Sequence, residues 1–274
     1  MHHTHALKFS PRQLINVVLV GVGGTGSALL TYLTDIHKCL QALDGAGLHV
    51  TVFDGAAVSS TNVIRQNYSP AEIGRNKAVS LVGRVNATLG TAWIARPSSC
   101  TLKDLAALNP HILITCTDTK VSRRTLGEFR VPYWLDTGNS DFTGQVVLSE
   151  PGLGLSTPHL PTPLETHAAH LKGNQEAAAS CSALEALQRQ DLMINRQVAL
   201  QATALLWRLL RDGHTSTRGA YIDTSTGTVL PLLVEPHMVK PNVVSVGLMP
   251  PEPPSPPTPA PRRTRRKPTP EVPA

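Results

Sequence analysis

Three glycines with the spacing G-x-G-x-x-G form a candidate phosphate-binding turn near the amino terminus. Gly21, Gly23 and Gly26 follow an apolar run and precede a long helical pattern. In such a turn the first glycine permits the sharp bend, the second lets a phosphate approach the backbone, and the third lets the helix pack on the strand. Free N–H groups at the helix amino terminus would bind the anion. The spacing therefore indicates a nucleotide site, but it suits NAD, FAD, S-adenosylmethionine and ATP alike.

Asp54 is a candidate ribose ligand. It directly follows the second apolar run, residues 48–53, and an acidic residue at the end of a second strand contacts ribose hydroxyls in folds of this kind. The position does not distinguish NAD from ATP. Because Gly55 follows, a simple role as a turn former is the alternative.

The polar segment behind Asp54 carries two cations and two amides, namely Asn62, Arg65, Gln66 and Lys77. Their place in the chain predicts that they lie near the mouth of the sheet. Cations aimed at a triphosphate would stabilise the charge that develops as pyrophosphate leaves. A solvated loop followed by a helix with a surface lysine is the alternative.

A second carboxylate, Asp118, follows the buried-type run 111–116. At the carboxyl end of a parallel strand, beside the glycine turn, it would recruit a hard cation that bridges phosphates. Asp118 is therefore the candidate Mg²⁺ ligand and a catalytic candidate. It is also placed to cap the helix predicted from Lys120, and both roles stay open.

Cys181 is the candidate nucleophile. It precedes the longest helical pattern in the chain, and a helix amino terminus would lower the pKa of its thiol. A buried packing cysteine is the alternative. The other cysteines, Cys39, Cys100 and Cys116, lie far apart, and no C-x-x-C pair occurs. We therefore expect neither a disulfide framework nor a structural zinc.

Alternating strand and helix patterns must position these residues. Strands are predicted over 15–20, 48–53, 92–95, 111–116 and 132–135, with helices over 27–43, 76–88, 102–108 and 120–129. The alternation predicts an α/β fold with a doubly wound, mainly parallel, Rossmann-like sheet. We assign residues 1–14 to an amino-terminal extension and residues 15–136 to the nucleotide-binding portion.

After residue 136 the pattern becomes α+β, and we assign residues 137–248 to this second portion. A strand is predicted over 144–149, a loop over 151–163 and a hairpin over 220–233 that turns near Gly227. Residues 182–211 have the longest helical pattern, which predicts one helix or two packed helices. Its predicted buried stripe comprises Leu184, Leu187, Leu192, Ile194, Val198, Leu205 and Leu209.

Composition fits a globular protein with an unusual tail. The 274 residues are 41% hydrophobic, enough to fill a core, and no run of about 18 apolar residues or signal-peptide pattern occurs. We expect a cytoplasmic protein with no membrane contact. Half of the net charge of +6 lies in residues 249–274, where Pro-rich sequence predicts disorder with partial polyproline II character. This tail suits solubilisation, a weak anionic partner or an SH3-like ligand contact.

The spacing of the polar residues resembles the ThiF, MoeB and ubiquitin-activating enzyme superfamily over residues 15–148. The pattern D-x-D-x-V-x-x-S-N-L-x-R-Q … G-x-x-K is matched by Asp54, Val58, Thr61, Asn62, Arg65, Gln66, Gly74 and Lys77. ITCTDTKVSRR resembles a strand ending D-C-T-D-N with a later arginine, matched by Asp118 and Arg123. Ala56 replaces the second acid of the first pattern, and Thr119 replaces the asparagine of the second.

This resemblance implies adenylation, by ATP with Mg²⁺, of the C-terminal glycine carboxylate of a small ubiquitin-like protein. It implies a phosphate turn and an ATP site built from Gly21, Gly23, Gly24, Gly26, Asp54, Asn62, Arg65, Gln66, Lys77 and Arg123. Asp118 would hold Mg²⁺, and Cys181 would form a thioester, although the family's Thr-x-Arg after the cysteine is absent. Relatives of this type are usually dimers, so a homodimer is expected, with Arg12 a candidate to complete the partner's site.

Within the superfamily the chain is most similar to the ThiF family protein of the bacterial PRTRC system. Its length, the lack of zinc cysteines and the Arg-Gln-Asp-Leu-x-Ile-Asn phrase ending at Asn195 carry that resemblance. Other classes stay open. An NAD(P)-dependent oxidoreductase would use the glycine turn but gives Arg65 and Lys77 no role. A non-catalytic nucleotide-binding scaffold and an enzyme that adenylates a short peptide are the remaining alternatives.

Overall fold

The structure is a computed structural model that describes residues 3–117, 119–152, 158–166 and 190–238. Two predicted site residues, Asp118 and Cys181, therefore lie outside the described residues. The same holds for Leu184, Leu187 and the tail assigned to residues 249–274.

The described strands form a two-stranded ribbon and an eight-stranded sheet. They are β1 (His5–Ala6), β2 (Ile15–Val20), β3 (Leu48–Phe53), β4 (Ile94–Arg96), β5 (Ile112–Thr115), β6 (Tyr133–Asn139), β7 (Thr143–Ser149), β8 (His214–Thr215), β9 (Thr217–Asp223) and β10 (Thr228–Leu233). The sheet order is β10-β9-β7-β6-β5-β2-β3-β4. Strands β4, β3, β2, β5 and β6 are parallel, whereas β7, β9 and β10 add antiparallel pairs.

The described helices connect and cover these strands. They are α1 (Gly24–Ala42), α2 (Ser60–Arg65), α3 (Lys77–Leu89), α4 (Leu102–Leu108), α5 (Lys120–Gly127), α6 (Pro163–Thr166) and α7 (Ile194–Asp212), with 3-10 turns at Pro70–Glu72 and Pro236–Met238. None of them combines the length and the apolar character that a membrane crossing requires.

Both faces of the central strands are buried, which explains why β2, β3 and β5 read as continuous apolar runs. On one face Val17 and Leu19 pack in the cluster that contains α1, α3 and α7. On the other face Val18 and Val20 pack with residues of α4 and α5. The predicted doubly wound, mainly parallel sheet is confirmed, and its carboxyl edge is where the glycine turn lies.

The change of pattern predicted at residue 136 coincides with a change in the sheet. β6 is the last parallel strand, and β7 is the first antiparallel one. The hairpin is also confirmed, because Asp223 pairs with Thr228 across a turn that contains Gly227 at φ +69°. The division of the chain into two portions at that residue stays a prediction.

The carboxyl-terminal part of the segment predicted to form one or two helices is helix α7, and residues 182–189 of that segment lie outside the described residues. Residues 190–193 are not helical, and α7 starts at Ile194. Leu192, predicted to be buried, is 52% exposed because it precedes the helix. The remaining described members of the predicted stripe are buried, namely Ile194, Val198, Leu205 and Leu209. The sequence analysis also missed α2 and the ribbon of β1 with β8.

Three histidines at the amino-terminal side of the sheet are held away from water. The ring of His5 contacts the Tyr133 hydroxyl at 2.9 Å, His37 packs edge-on against Trp93, and His111 Nδ1 accepts a hydrogen bond from the Asn16 N–H at 3.0 Å. Burial lowers the pKa of each imidazole. Neutral histidine is therefore the form that the fold favours.

We expect the free energy of unfolding to decrease as the pH falls below neutral. A histidine whose pKa is lowered on folding contributes stability that is present above its unfolded pKa of about 6.5 and is lost as the pH falls through the folded pKa. Urea unfolding at pH 8, 7, 6 and 5 should show a constant free energy of unfolding above pH 7 and a decline below about pH 6.5. His111→Asn keeps an acceptor for Asn16 and should make that decline shallower; higher stability at pH 5 than at pH 7 would contradict the assignment.

Candidate nucleotide-binding site

The glycine turn is fixed by close backbone packing. Gly21 has φ +87°, a left-handed conformation that favours glycine, and its N–H donates to Phe53 O at 2.8 Å. A Cβ on Gly26 would lie 2.0 Å from Gly21 O. Gly23 differs, because a Cβ there would meet no atom within 4 Å. The first and third glycines therefore serve the fold, whereas the second leaves open space beside the start of α1, as phosphate binding requires.

Gly24 makes room for a side chain from the far end of the sequence. A Cβ on Gly24 would lie 2.5 Å from Asn195 Cγ. The Thr25 hydroxyl lies 3.0 Å from Asn195 Oδ1 and 3.2 Å from Asn139 Oδ1. Residues from α1, β6 and α7 thus meet at the first turn of the helix. Contact with a phosphate at Gly24 stays a prediction.

Asp54 joins the glycine turn to the end of β3. Its Oδ2 accepts the Val22 N–H at 2.8 Å, and its Oδ1 accepts the Ala56 N–H at 2.8 Å. The carboxylate is half-buried. Because each carboxylate oxygen has a second acceptor position, Asp54 can hold the turn and still accept a hydrogen bond from a ribose hydroxyl. Both interpretations from the sequence, turn residue and ribose ligand, are compatible with this geometry.

The segment from Asp54 to Lys77 folds back onto the glycine turn. The buried Tyr68 hydroxyl donates to Val22 O at 2.7 Å, and burial raises the pKa of Tyr68, so the donor proton is retained. Asn67 N–H donates to Ser27 Oγ at 3.2 Å. Asn76 caps α3 and donates from Nδ2 to Asp54 O at 2.8 Å. The segment is therefore an ordered wall of the site and not a solvated loop.

Lys77 is the first residue of α3 and is 9% exposed. Within the described residues its ammonium group has neither a hydrogen-bond acceptor nor an ion-pair partner. Two buried polar atoms also lack a partner among the described residues, namely Gln66 Oε1 at the end of α2 and Thr117 Oγ1 of the residue whose side chain lies beside Gly21. Burying an uncompensated charge is costly, and a bound anion would offset that cost. Lys77 is therefore not the surface lysine of the alternative interpretation.

Asn62 and Arg65 lie on α2. Asn62 Oδ1 accepts the Ser59 N–H at 3.0 Å, which completes a capping box at the start of that helix. The Arg65 guanidinium donates from Nη1 to Gln190 Oε1. In the described part of the chain neither side chain contacts a carboxylate, so both can contact an anionic ligand.

Arg123 has a different environment from the other predicted cations. Its Nε and Nη2 donate to the two carboxylate oxygens of Asp136 at 2.9 and 2.7 Å, and Nη2 also donates to Thr137 O at 2.8 Å. Burial raises the pKa of Asp136, and the charge of Arg123 opposes that shift. The pair links α5 to β6. Direct contact of Arg123 with ATP stays a prediction.

A cavity of about 470 Å³ adjoins the site on the antiparallel side of β6. Its lining comes from α5, the end of β6, the following turn, β7, β9 and β10. The lining residues include Arg123, Asn139, Gln145, Tyr221, Asp223 and Leu230. Asn139 lines this cavity and also contacts Thr25 beside the glycine turn. The space at the glycine turn and the cavity are therefore neighbours.

The structure brings most of the predicted site residues to the carboxyl edge of the parallel strands. The helix that Asp118 was expected to cap begins after Thr119, which occupies the N-cap position. In the part of the chain that is described, no group of three or more His, Cys, Asp or Glu side chains is placed to hold a metal ion. The Mg²⁺ assignment, which depends on Asp118, stays a prediction.

Sequence reasoning missed the residues that bind the site together across long distances. These are Asn67, Tyr68, Asn76, Asp136, Asn139, Gln190 and Asn195. A signal was present for two of them, because Gln190 and Asn195 lie in the Arg-Gln-Asp-Leu-x-Ile-Asn phrase. The others have no local signature, since their partners are distant in the sequence.

Comparison with known families gives a match to the ThiF family over residues 12–228. The chain belongs to the ThiF family. No curated protein sequence matches it. The assignment to the PRTRC subtype stays a prediction.

Solved structures of E. coli MccB and of PaaA have a similar fold. E. coli MccB with succinimide has a TM-score of 0.56 and 13% identity over 80% of this chain and 63% of MccB. MccB with ATP has a TM-score of 0.55 and 13% identity over 85% and 66%. PaaA has a TM-score of 0.53 and 13% identity over 80% and 64%. This ThiF-family chain thus spans slightly less than two thirds of the length of these proteins, and the likeness shows a shared fold.

The packing at the glycine turn predicts contrasting effects of two Gly→Ala changes. Gly26→Ala places a methyl group against a backbone carbonyl and should lower the free energy of unfolding by roughly 3 kcal/mol. Gly83, which is exposed within α3 and has no neighbour within 4 Å of its Cβ position, is the matched control. Gly83→Ala should raise the free energy of unfolding by about 1 kcal/mol. Equal effects of both changes in urea unfolding would contradict the close packing.

Proposed function

We propose that this ThiF-family chain uses ATP and Mg²⁺ to adenylate the C-terminal carboxylate of a small ubiquitin-like protein. The observation that carries the proposal is Lys77, a largely buried lysine whose ammonium group has no ion-pair partner among the described residues, on a segment that packs against an open glycine turn. Family membership and the fold shared with MccB, which has been solved with ATP, support it.

The proposed reaction joins a carboxylate oxygen of the substrate to the α-phosphorus of ATP. The bond from that phosphorus to the bridging oxygen of the β-phosphate breaks, and pyrophosphate leaves with the bonding electron pair. The N–H groups at the start of α1 bind phosphate oxygens, and Asp54 accepts from the ribose. Lys77, Arg65 and Asn62 stabilise the negative charge on the leaving group.

Mg²⁺, when bound, would neutralise phosphate charge and orient the phosphates for displacement. Asp118 is the residue proposed to hold it, because it follows β5 at the edge of the sheet that carries the glycine turn. Thr117, the neighbour of Asp118 in the chain, lies beside Gly21 and has a buried hydroxyl oxygen without a partner among the described residues. An unpartnered oxygen beside the glycine turn supports a polar ligand there, and Asp118 would add the carboxylate that a hard cation prefers.

The cavity beside Asn139 is the proposed entry for the substrate's C-terminal segment. It adjoins the glycine turn, so a carboxylate that ends there would lie next to the α-phosphate. MccB has also been solved in complex with N-formylated MccA. A short peptide is the alternative substrate, and a synthetic peptide with the same last residues as the candidate protein distinguishes the two.

The alternatives to adenylation gain less support from the site. A dinucleotide oxidoreductase would leave the unpaired cation Lys77 and the free face of Arg65 without a role. A non-catalytic nucleotide-binding scaffold would need no acyl substrate, so the absence of ATP–pyrophosphate exchange with every carboxylate tested would favour it.

ATP–pyrophosphate exchange with a co-encoded small protein tests the proposal. Lys77→Ala should lower exchange at least about a hundredfold, because the charge on the leaving pyrophosphate loses its buried counter-ion. Asp118→Ala should abolish exchange through loss of Mg²⁺. The matched control is Lys38→Ala, because Lys38 is exposed and forms an ion pair with Asp35. Lys38 lies about 20 Å along α1 from the first residue of that helix.

Full exchange by Asp118→Ala would overturn the metal assignment. Exchange that proceeds without any carboxylate substrate would overturn the reaction itself. A loss equal to that of Lys77→Ala in the Lys38→Ala control would show that the assay reports general charge and not the site.

We also propose that Cys181 accepts the acyl group as a thioester. Among the described cysteines, Cys39 is exposed on α1, and burial together with Asp104 raises the pKa of Cys100 to about 12, which disfavours its thiolate. Cys116 is close to the Thr137 hydroxyl within the sheet. Cys181 therefore stays the better candidate.

Cys181→Ala should separate the two steps of the reaction. Exchange should persist at the wild-type rate, because adenylation precedes thiol attack, whereas a thiol-sensitive conjugate with the small protein should disappear on non-reducing gels. Cys39→Ala is the matched control and should keep the conjugate. A conjugate that survives in Cys181→Ala would refute the assignment of this cysteine.

A homodimer is proposed with Arg12 as a residue donated between subunits. Arg12 O accepts the Ala46 N–H at 3.0 Å, which places Arg12 at the amino ends of β2 and β3. The six-residue strand β2 separates it by about 20 Å from the glycine turn of its own chain. Arg12 would therefore reach a nucleotide only in a second copy.

A further inference from the structure

Gln190 connects Arg65 to the turn that follows β6. Its Oε1 accepts from Arg65 Nη1, and its Nε2 donates to Ser140 O at 3.2 Å. The next residue, Asp191, donates its N–H to Asp141 O at 2.8 Å. Two hydrogen bonds therefore anchor this short stretch to the β6–β7 turn, and a third reaches across to α2.

The same stretch contacts the glycine turn. Asn195, five residues further on, packs against Gly24 and lies within hydrogen-bond distance of the Thr25 hydroxyl. Asn195 Nδ2 also approaches Gln190 Oε1 at 3.5 Å. One local segment thus contacts the start of α1, the end of α2 and the β6–β7 turn, so it sets the spacing between elements that carry proposed nucleotide ligands.

We propose that Gln190 is a positioning residue that holds the Arg65 guanidinium in place before ATP binds. The inference rests on the proposed function, in which Arg65 contacts the triphosphate. A free arginine side chain loses rotamer entropy when it binds a ligand, and a fixed acceptor removes part of that loss before the ligand arrives.

An amide suits this role better than a carboxylate would. Gln190 Oε1 is a neutral acceptor, so Arg65 keeps its full charge, and its remaining N–H donors stay available to phosphate oxygens. Arg123 differs from Arg65 in this respect. Its Nε and Nη2 both donate to the Asp136 carboxylate, which neutralises the charge of the guanidinium. The chain thus holds one arginine by a neutral partner and the other by an anion.

A double-mutant cycle on ATP affinity tests the inference. Isothermal titration with Mg·ATP needs no acyl substrate, so it does not depend on the adenylation step. Gln190→Ala should weaken ATP binding about tenfold, the effect of losing one charged hydrogen bond. In the Arg65→Ala background the same change should have no further effect, because the residue acts through Arg65.

Gln190→Glu tests whether the acceptor for Arg65 must be neutral. Glutamate keeps the size and an acceptor, but it loses the Nε2 donor to Ser140 O and its carboxylate neutralises the guanidinium. We expect ATP affinity at or below that of Gln190→Ala in a variant that urea unfolding shows to be folded. Gln197→Ala, which removes an amide from the first turn of α7, should leave ATP affinity unchanged.

Three outcomes would overturn the inference alone: wild-type ATP affinity in Gln190→Ala, an undiminished effect in the Arg65→Ala background, or restored affinity in Gln190→Glu. Absence of ATP binding by the wild-type protein would instead overturn the proposed function. ATP binding without exchange would leave the positioning role supported while adenylation fails.

Discussion

The contact between Gly26 and the Gly21 carbonyl is the constraint on which the rest of the site depends. Because no Cβ fits there, α1 starts within van der Waals contact of the end of β2, and its first N–H groups point toward the open space at Gly23. Asp54 then holds the turn through Val22 N–H and fixes the start of the segment that carries Lys77. A small change in the angle of α1 would displace each of these groups together, since Tyr68 and Asn67 hydrogen bond to the same turn.

The distribution of charge follows from which cations the fold neutralises. Arg123 is paired with a fully buried carboxylate and links α5 to β6, so its contribution is largely to the sheet edge. Among the described residues Lys77 has no such partner although it is largely buried, and the Arg65 guanidinium contacts the neutral amide of Gln190. A neighbouring carboxylate on either residue would reduce the attraction for a triphosphate. Uncompensated positive charge at one edge of the sheet is therefore the feature that distinguishes a ligand site from a structural ion pair here.

Local sequence predicted the sheet well because both faces of the central strands are buried. Residues 15–20, 48–53 and 102–108 form elements with the predicted bounds, and the glycine spacing located the turn. Contacts between distant segments could not be predicted from local sequence. Thr25 contacts Asn195, 170 residues away, and only a residue without a Cβ fits at Gly24 beside that asparagine. Helix α2 was missed because it has only six residues, of which Val63 and Ile64 are the apolar ones and none is buried, so no helical apolar period marks it. The apolar period did not locate the non-helical residues 190–193 within the predicted helical segment, because contacts with Asp141 and Asp191 hold the backbone there.

Strand β6 joins the parallel and antiparallel halves of the sheet. In the proposed reaction the two substrates would also lie on either side of this strand. Its parallel neighbour β5 leads to the nucleotide edge, and its antiparallel neighbour β7 forms a wall of the cavity. Asn139 at its end contacts Thr25 on one side and the cavity on the other. The proposed transfer of an adenylyl group from ATP to a carboxylate needs a site that holds two ligands within bonding distance, whereas a nucleotide-binding scaffold needs one. The cavity on the antiparallel side of β6 is a second space beside the glycine turn, and it supports the proposed activating enzyme over a scaffold.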